Sequence, residues 1–450
     1  MDVMATPTVK EGLTLPNARA MASDAPGFLL ETARRVGPFF RLGAGPLTLP
    51  VVAEPELLQH VFQKNSKAYG RGAAYDIYRP LLGNGLPVSD PPVWLYRRRT
   101  MQPAFQRGKG PDWVVTIRDA TRPHLDALAA GQALEARPFF MNVTRDIIMA
   151  ALFSSASVET AGLQETFTSV DAFVGSFGMS PVRLPLWVPT PTNRRFMAAI
   201  RRIDELLLGL IERRRADPSP PADLLTTLIR AKDPETGTSL TDVELRDEVV
   251  NLFIAGHETT ASLLAWCVVA LTRWPEARAR AQAEVDDVLQ GVEPTAERVE
   301  RLDWLHATVR EVLRYFPPAW LQAREVFEAD TLRDVTLAPK DRVLLVPYVT
   351  HHRADLWDEP ERFDPSRFLS ERSIDAATWK YRYLPFGAGP HVCIGNHFAV
   401  LEAVTVLAML FQKGHLEAKA PEAERPTMGL ALMPSNGVPA TFVPRTVKSS

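Results

Sequence analysis

Cys393 is the residue in this chain whose type and surroundings best fit metal chemistry. Gly387 and Gly389 precede it and predict a constrained loop, and apolar residues then recur at helical spacing from Phe398 to Phe411. A cysteine at the N-terminus of a helix experiences the positive end of the helix dipole. This favours the thiolate, which is the form that binds soft metal ions. We therefore expect Cys393 to be a metal ligand.

A lone cysteine such as Cys393 suits a haem iron better than a zinc ion. The chain has 2 cysteines, and Cys267 lies far upstream, whereas zinc needs several cysteine or histidine ligands at short spacing. A haem iron needs only one axial thiolate. Phe386 would shield the sulfur from water, and Gly389 and Gly395 would let a flat group lie across the loop. The alternative is a buried, inert cysteine in a tight turn.

A second stretch of interest lies in the middle of a long apolar helix. Thr241 and Glu244 form a capping-box pattern that begins this helix, which is expected to run to about Trp274. The sequence Ala255-Gly-His-Glu-Thr259 interrupts the apolar pattern at its centre. A carboxylate and a threonine are costly in a protein interior unless they have partners or a task.

Glu258 and Thr259 are the candidate catalytic residues of this helix. A threonine can bond to the carbonyl four residues earlier and so open the helix locally, and Gly256 would leave room for a small ligand beside the backbone. A zinc protease would need a second histidine at residue 261, which is Ala261. The alternative is a helix kink with satisfied polar groups and no chemical task.

Both stretches resemble motifs of the cytochrome P450 family. The pattern of Phe386, Gly389, His391, Cys393 and Gly395 is similar to the haem-binding loop of that family, and residues 255–259 are similar to its oxygen-binding helix. The resemblance covers nearly the whole chain. It implies the P450 fold, which is mainly α with a smaller β-rich region. It also implies haem b as the cofactor and insertion of one oxygen atom of O2 into a hydrophobic substrate.

The resemblance assigns roles within the central helix and in the rest of the haem site. It implies proton delivery by Glu258, contact with dioxygen and its water by Thr259, and a pocket lining at Ala255. Haem propionates are expected to meet four residues from separate parts of the chain, namely Trp94, Arg98, Arg324 and His391. Trp94 and Arg98 are four apart and share one face of a predicted helix. The cofactor-binding set is completed by Phe386, Gly387 and Gly395.

A buried ion-pair cluster is predicted to hold the Cys393 loop in place. Glu311 and Arg314 are three apart on an amphipathic helix that ends at Pro317. Together with Arg362, from the sequence Pro360-Glu-Arg-Phe, they resemble the Glu-x-x-Arg…Arg triad of P450s. Such a cluster fixes one core geometry and has no catalytic role.

Composition limits the range of functions. The chain has 450 residues, of which 46% are hydrophobic and 23% charged, with a formal net charge of −2. This charge gives no indication of a nucleic-acid partner, and few cysteines suggest a reducing compartment. No apolar run suited to a membrane anchor lies near the N-terminus. We therefore expect a cytoplasmic, soluble, bacterial-type monomer.

The domain organisation follows from the same resemblance. Residues 1–25 are predicted to be an N-terminal extension, and residues 26–450 one P450 domain. Its β-rich parts are expected at about residues 37–65 and 322–348. The apolar, proline-rich segment Gly178–Thr192 is expected to be a lid over the substrate entrance, and a packed surface loop is the alternative.

The electron source and the substrate are predicted only in outline. The sequence has no flavin or Fe–S module, so electrons are expected from a ferredoxin and a ferredoxin reductase. A ferredoxin would meet a basic face, for which the candidates are Arg97, Arg99, Arg107, Lys109, Lys380 and Arg382. The alternative is that these residues only make the surface soluble. The expected substrate is terpene- or fatty-acid-like, and a steroid or macrolactone would fit the same pattern.

Two further functions stay open, namely a peroxide-driven or isomerising haem-thiolate enzyme and a non-catalytic haem protein.

Overall fold

The computed structural model describes residues 6–9, 21, 23–44, 47–154, 162–163, 166, 186–369, 381–429 and 431–445. Helices dominate this part of the chain, as predicted. They are α1 (Ala25–Val36), α2 (Pro55–Gln59), α3 (Arg79–Leu82), α4 (Val93–Met101), α5 (Gly110–Asp126), α6 (Ala136–Phe153), α7 (Pro191–Ala216), α8 (Leu224–Arg230), α9 (Asp242–Arg273), α10 (Pro275–Leu289), α11 (Ala296–Glu300), α12 (Asp303–Tyr315), α13 (Pro347–His351) and α14 (Asn396–Lys413).

The strands form small sheets at the edge of the helical body. They are β1 (Thr8–Val9), β2 (Phe39–Ala44), β3 (Leu47–Val52), β4 (Tyr69–Gly70), β5 (Ala133–Glu135), β6 (Gln322–Val326), β7 (Asp330–Leu332), β8 (Val335–Leu337), β9 (Arg342–Leu345), β10 (Gly414–Ala418), β11 (Pro426–Met428), β12 (Leu432–Pro434) and β13 (Pro439–Pro444). The largest sheet has the order β1-β2-β3-β9-β6-β4. It joins the two β-rich parts predicted from the sequence.

The segment predicted as an N-terminal extension contributes to this sheet. Thr8 and Val9 pair in parallel with Arg41 and Leu42 of β2. The Thr6 amide also donates to Asp334 at 2.8 Å. This strand therefore belongs to the domain rather than lying outside it.

Helix α9 runs through the interior, as its apolar composition predicts. Thr241 and Glu244 form the predicted capping box at its N-terminus, and residues 260–271 are all buried. Among the described residues, α9 is the helix long and apolar enough to cross a membrane, and 72% of its most apolar window is buried inside the protein. Its apolar surface is therefore used for packing in the core.

Helix α14 follows the Cys393 loop and packs against α9. It begins at Asn396 and ends before Gly414, the predicted stop. Its residues 401–411 are all buried. A helix so enclosed holds the loop at its N-terminus in a fixed place between the helical body and the sheet.

Candidate haem site

The loop before α14 forms a tight turn around the Cys393 backbone. The Cys393 amide donates to the carbonyl of Phe386 at 3.0 Å. Gly387 and Gly389 have φ angles of 71° and 68°, a left-handed conformation that favours glycine. A Cβ at Gly389 would lie 1.8 Å from the carbonyl oxygen of Phe62. The constrained loop expected from these glycines is therefore present, and its shape excludes a side chain at residue 389.

The Cys393 thiol is accessible to solvent but closely surrounded by protein. Desolvation raises its pKa, and this outweighs the lowering effects of the Gly395 backbone N–H and the Arg98 guanidinium. The sequence predicted a thiolate favoured by the helix dipole. The fold without a cofactor instead favours the protonated thiol, and a bound haem iron would supply positive charge that stabilises the thiolate.

Basic side chains from three parts of the chain converge beside this loop. Arg98 donates to the carbonyl of Val392 at 2.8 Å. The rings of Trp94 and His391 lie 4.0 Å apart between centroids. Arg324 is buried on β6 and contacts the ring face of Phe62. The predicted propionate contacts are thus brought together around His391.

These basic groups are incompletely neutralised within the described residues. Burial, followed by the charges of Arg71, Arg324 and Arg98, lowers the pKa of His391 to about 3. Burial and Arg71 also lower the pKa of Arg324 to about 9. His391 Nδ1 and Arg71 Nε are buried without a hydrogen-bond partner there. Two carboxylates, such as those of a haem, would satisfy both the charges and the unpaired donors.

The sequence carries no signal that predicts Arg71 and Tyr75 in this cluster. The Arg71 guanidinium donates to the Tyr75 hydroxyl at 3.1 Å, and the charges of Arg71 and Arg324 lower the tyrosine pKa. Strand β4 places Gly70 opposite Glu325 of β6, which brings residue 71 beside residue 324. Only this pairing of distant strands reveals the contact.

Helix α9 opens to solvent at its centre. Ala255 is exposed within a helix that is buried on both sides of it, and Gly256, Glu258 and Thr259 are half-buried. The Thr259 hydroxyl donates to the Ala255 carbonyl at 2.7 Å, the back-bond expected from the sequence. Glu258 lies 3.6 Å from Arg137, an unpredicted ion pair with α6.

Gly256 has a different role from the one predicted. A Cβ at this residue would lie 3.0 Å from Cδ1 of Ile148 on α6. The glycine therefore permits close packing of α9 against α6 at this residue.

The opening of α9 and the Cys393 loop belong to one region of the interior. Ile254, next to Ala255, is a member of the same apolar cluster as Trp94, and Ile394, next to Cys393, packs against that cluster. The basic groups lie at the edge of this region. An apolar interior with a thiol, a carboxylate–threonine pair and a cationic rim fits a haem with its propionates at the rim.

The ion-pair cluster forms, but with a different third residue. Arg314 donates to Glu311 at 2.7 and 2.9 Å, and both residues are fully buried. The prediction of Arg362 is wrong, because its side chain is 64% exposed and pairs with Glu359. Arg367 takes its place, 3.5 Å from Glu311 with a side chain that is 12% exposed. The turn after Phe363 directs residue 367 inward and residue 362 outward.

The predicted basic face is only partly present. Arg97 is buried and pairs with Glu248 at 2.8 Å, and Arg99 pairs with Asp233 at 2.8 Å. These two arginines are therefore not available to a partner protein. Arg107 and Lys109 are exposed and Arg382 is half-buried, whereas Lys380 lies outside the described residues.

The predicted lid can be located only at its end. Residues 178–185 lie outside the part of the chain that the structure describes. Trp187, within the described part, is 83% exposed. The role of the segment as a lid stays a prediction.

The cytochrome P450 family model matches residues 19–440 of the chain. The chain belongs to the cytochrome P450 family. It is 33% identical to cyclooctat-9-en-7-ol 5-monooxygenase of Streptomyces melanosporofaciens over 84% of this chain and 83% of that protein. It is 36% identical to cyclooctatin synthase of the same organism over 82% and 80% of the two chains. The crystal structure of the cytochrome P450DA heme domain matches it with a TM-score of 0.87 at 27% identity, covering 98% of this chain and 97% of that one.

The family fixes the general chemistry of this P450. The enzyme is a haem-thiolate monooxygenase that uses O2. The fold predicted from the sequence is confirmed by the match to P450 structures. The site described above has the donors that such a cofactor requires, and Cys393 is the accessible cysteine among the described residues.

Proposed function

We propose that this P450 hydroxylates a lipophilic, terpene-like molecule, with haem b bound through Cys393. The observation that carries the proposal is the opening of α9 at Ala255, which is the exposed residue in the stretch of this helix from Leu245 to Leu271. A small apolar residue there leaves room for a hydrophobic substrate next to Thr259 and Glu258. The cofactor, when bound, supplies the activation of O2.

We assign the haem carboxylates to the basic groups around His391. Arg98, Arg324 and the unpredicted Arg71 supply the charge, and the buried Nδ1 of His391 supplies a donor that has no partner among the described residues. Trp94 supports the His391 ring through a tilted ring contact. These contacts would hold the cofactor beside the Cys393 thiol, which would bind its iron.

We assign proton handling to Glu258 and Thr259. Glu258 is half-buried and lies 3.6 Å from Arg137 at the surface side of α6. A carboxylate in that position can exchange protons with solvent on one side and pass them to Thr259 on the other. Because the Thr259 hydroxyl already donates to Ala255, its oxygen is free to accept a hydrogen bond from water in the site.

The substrate class rests on the relatives and on the apolar surroundings. One relative is named for a monooxygenase reaction on cyclooctat-9-en-7-ol, which has a large hydrocarbon part. The described end of the predicted lid adds apolar surface, which is exposed at Trp187 and half-buried at Leu186 and Val188. A terpene is favoured over a fatty acid because the relatives act on such molecules by name and this chain covers most of their length.

We further propose that a ferredoxin and its reductase supply the electrons in the cytoplasm. The remaining exposed basic residues, Arg107 and Lys109, lie on the chain between α4 and α5, next to the helix that carries Arg98. Opposite charge on a ferredoxin would accelerate its association with this face. Reversal of both charges should raise the KM for ferredoxin at low salt and leave substrate affinity unchanged.

An optical titration of the haem-loaded enzyme tests the proposed substrate class. Substrates that displace the water on the iron shift the Soret band from its low-spin to its high-spin position. A saturable shift with terpenes, and weaker shifts with fatty acids, steroids and macrolactones, is the expected result. A shift with another class alone would replace the terpene assignment, and product formation with peroxide but not with O2 and electrons would favour a peroxide-driven enzyme.

A further inference from the structure

The first turns of α9 hold the chain segment that leads into α4. Arg246 donates to the Leu81 carbonyl at 2.8 Å, and Asn251 donates to the Leu82 carbonyl at 2.7 Å. Both side chains are buried. Backbone carbonyls of an irregular segment thus find their hydrogen-bond donors on a core helix rather than in solvent.

Two carboxylates of the same helix accept the next backbone amides. The Asn84 N–H donates to Asp247 at 2.9 Å, and the Leu86 N–H donates to Glu248 at 3.1 Å. Glu248 is fully buried and Asp247 is nearly so. Together with the carbonyl contacts, these bonds fix the backbone from residue 81 to residue 86.

Glycines allow this segment to lie directly on α9. A Cβ at Gly83 would come within 1.9 Å of Asp247, and a Cβ at Gly85 within 2.0 Å of Asn251. Gly83 also has a φ of +58°, which favours glycine. The polar side chains of α9 occupy the space that side chains at 83 and 85 would need.

Arg97 connects the same carboxylate to α4. It donates to Glu248 at 2.8 Å, and the two side chains are 4% and 0% exposed. Asp247 and Glu244 lie 3.6 and 3.8 Å from the same guanidinium. Arg97 adjoins Arg98 in sequence, so the pair with Glu248 restrains the helix that presents both Trp94 and Arg98 to His391.

We propose that Glu248 is a positioning residue for the haem site. It accepts hydrogen bonds from Arg97 and from the Leu86 amide, and so joins α4 and the segment 81–86 to α9. We call this set of residues the α9 clamp: Arg97, Arg246, Asp247, Glu248 and Asn251. The inference rests on the haem site proposed above, because the clamp acts on the cofactor only through Trp94 and Arg98.

The physical reason is that Arg97 and Glu248 are paired away from water, so separating them within the core leaves each group buried without its partner. Breaking one partner of a buried ion pair leaves the other uncompensated, which is far more costly than losing a surface pair. Helices α4 and α9 carry opposite edges of the site, namely Arg98 and the opening at Ala255. The α9 clamp therefore sets the separation between the cationic rim and the oxygen-handling helix.

Hydrogen exchange in the haem-free protein tests the clamp independently of haem. We expect Arg97→Gln and Glu248→Gln to increase exchange in the peptide that contains residues 81–86 by about 100-fold, since a buried pair is broken. Arg99→Gln is the matched control, because it removes the ion pair between Arg99 and Asp233 and leaves Arg97 and Glu248 unchanged. It should leave exchange in this peptide within about twofold of wild type.

Haem retention measures the consequence for the site. Haem transfer to excess apomyoglobin should be about tenfold faster in Glu248→Gln than in wild type, and unchanged in Arg99→Gln. Should the Gln variants not fold, Gly85→Ala gives a steric test with Gly108→Ala as its control, since a Cβ at 108 meets nothing within 4 Å. Gly85→Ala should then release haem faster than wild type, and Gly108→Ala should release it at the wild-type rate.

The possible outcomes separate this inference from the proposed function. In one outcome, wild type retains haem, and Arg97→Gln and Glu248→Gln show the same hydrogen exchange and haem release as Arg99→Gln. This outcome disproves the clamp and leaves the haem site intact. If wild type binds no haem while the exchange effect is present, the clamp exists without the proposed cofactor. Faster exchange together with faster haem release supports the whole proposal.

Discussion

At the scale of single residues, most polar groups in the described core meet a partner. Thr259 bonds to its own helix, and Glu258 faces Arg137. Glu402 on α14 is one of the exceptions among the described residues, because both of its carboxyl oxygens are buried without a well-formed hydrogen bond. Thr259 and Glu402 each lead to a specific expectation.

Thr259→Ala should uncouple electron consumption from product formation. In the proposed role the hydroxyl would hold water in the site beside Ala255, so its loss would let reduced oxygen leave as peroxide or water. The measurement is the ratio of product to NAD(P)H consumed, which should fall several-fold. Thr405→Ala is the control, since Thr405 makes the same back-bond at 2.7 Å on α14. Unchanged coupling in Thr259→Ala would remove the role given to Thr259.

Glu402 should be an uncharged acid at neutral pH. Burial raises its pKa well above the usual value, and the only opposing effect comes from Thr260. The infrared difference spectrum between wild type and Glu402→Gln should contain the C=O band of a protonated carboxyl at pH 7. The pKa of Glu402 is higher in the folded protein than in the unfolded chain. Its contribution to the free energy of unfolding therefore decreases as the pH rises above about 4.5. Glu402→Gln should lack that part of the pH dependence, and a carboxylate band instead would contradict the assignment.

At the scale of elements, a buried ion pair within one helix binds the backbone of segments that are distant in sequence. Glu311 accepts from Arg314 within α12 and also from the Asp364 amide at 2.8 Å. Arg314 donates to the His351 carbonyl at 2.8 Å. One helix thereby fixes both α13 and the turn that carries Arg367.

The two candidate arginines of this cluster should differ greatly in their effect on stability. Arg367→Ala should lower the free energy of unfolding by about 3 kcal/mol, because it leaves part of the buried Glu311 charge uncompensated. Arg362→Ala, the matched control, should change it by less than about 0.5 kcal/mol, since its side chain is exposed. Denaturant unfolding of the haem-free protein measures both, and equal effects would contradict the geometry described for Arg367.

At the scale of the whole molecule, the site is assembled from elements that the sheet and the central helices bring together. His351 is one connection: it accepts from the Leu384 amide at 2.8 Å, and its other ring nitrogen lies 3.1 Å from the Arg314 carbonyl. The neutral ring therefore links the ion-pair cluster to the start of the Cys393 loop. This accounts for how a structural cluster stabilises a loop that it does not touch directly.

Stability of the haem-free protein should fall as the pH is lowered below about 6.5. Burial lowers the pKa of His351 well below its usual value and that of His352 to about 3. Between about pH 6.5 and 3 these two histidines bind protons in the unfolded chain but not in the folded protein. Acidification therefore favours unfolding. Denaturant titrations between pH 7 and 5 measure the slope. His351→Gln should reduce it, and an equal slope in that variant would show that His351 is not responsible.

Features of this P450 that involve residues close together along the chain could be predicted from the sequence alone. The capping box of α9, the glycine turn before Cys393 and the Glu311–Arg314 pair are all local, because helical periodicity and turn chemistry act over a few residues. Tertiary structure decided what lies next to them. Arg71 reaches Arg324 only through the pairing of β4 with β6, and Arg367 rather than Arg362 turns toward Glu311. Desolvation of the Cys393 thiol and the pairing of Arg97 with Glu248 likewise depend on what packs around them, which spacing along one chain does not encode.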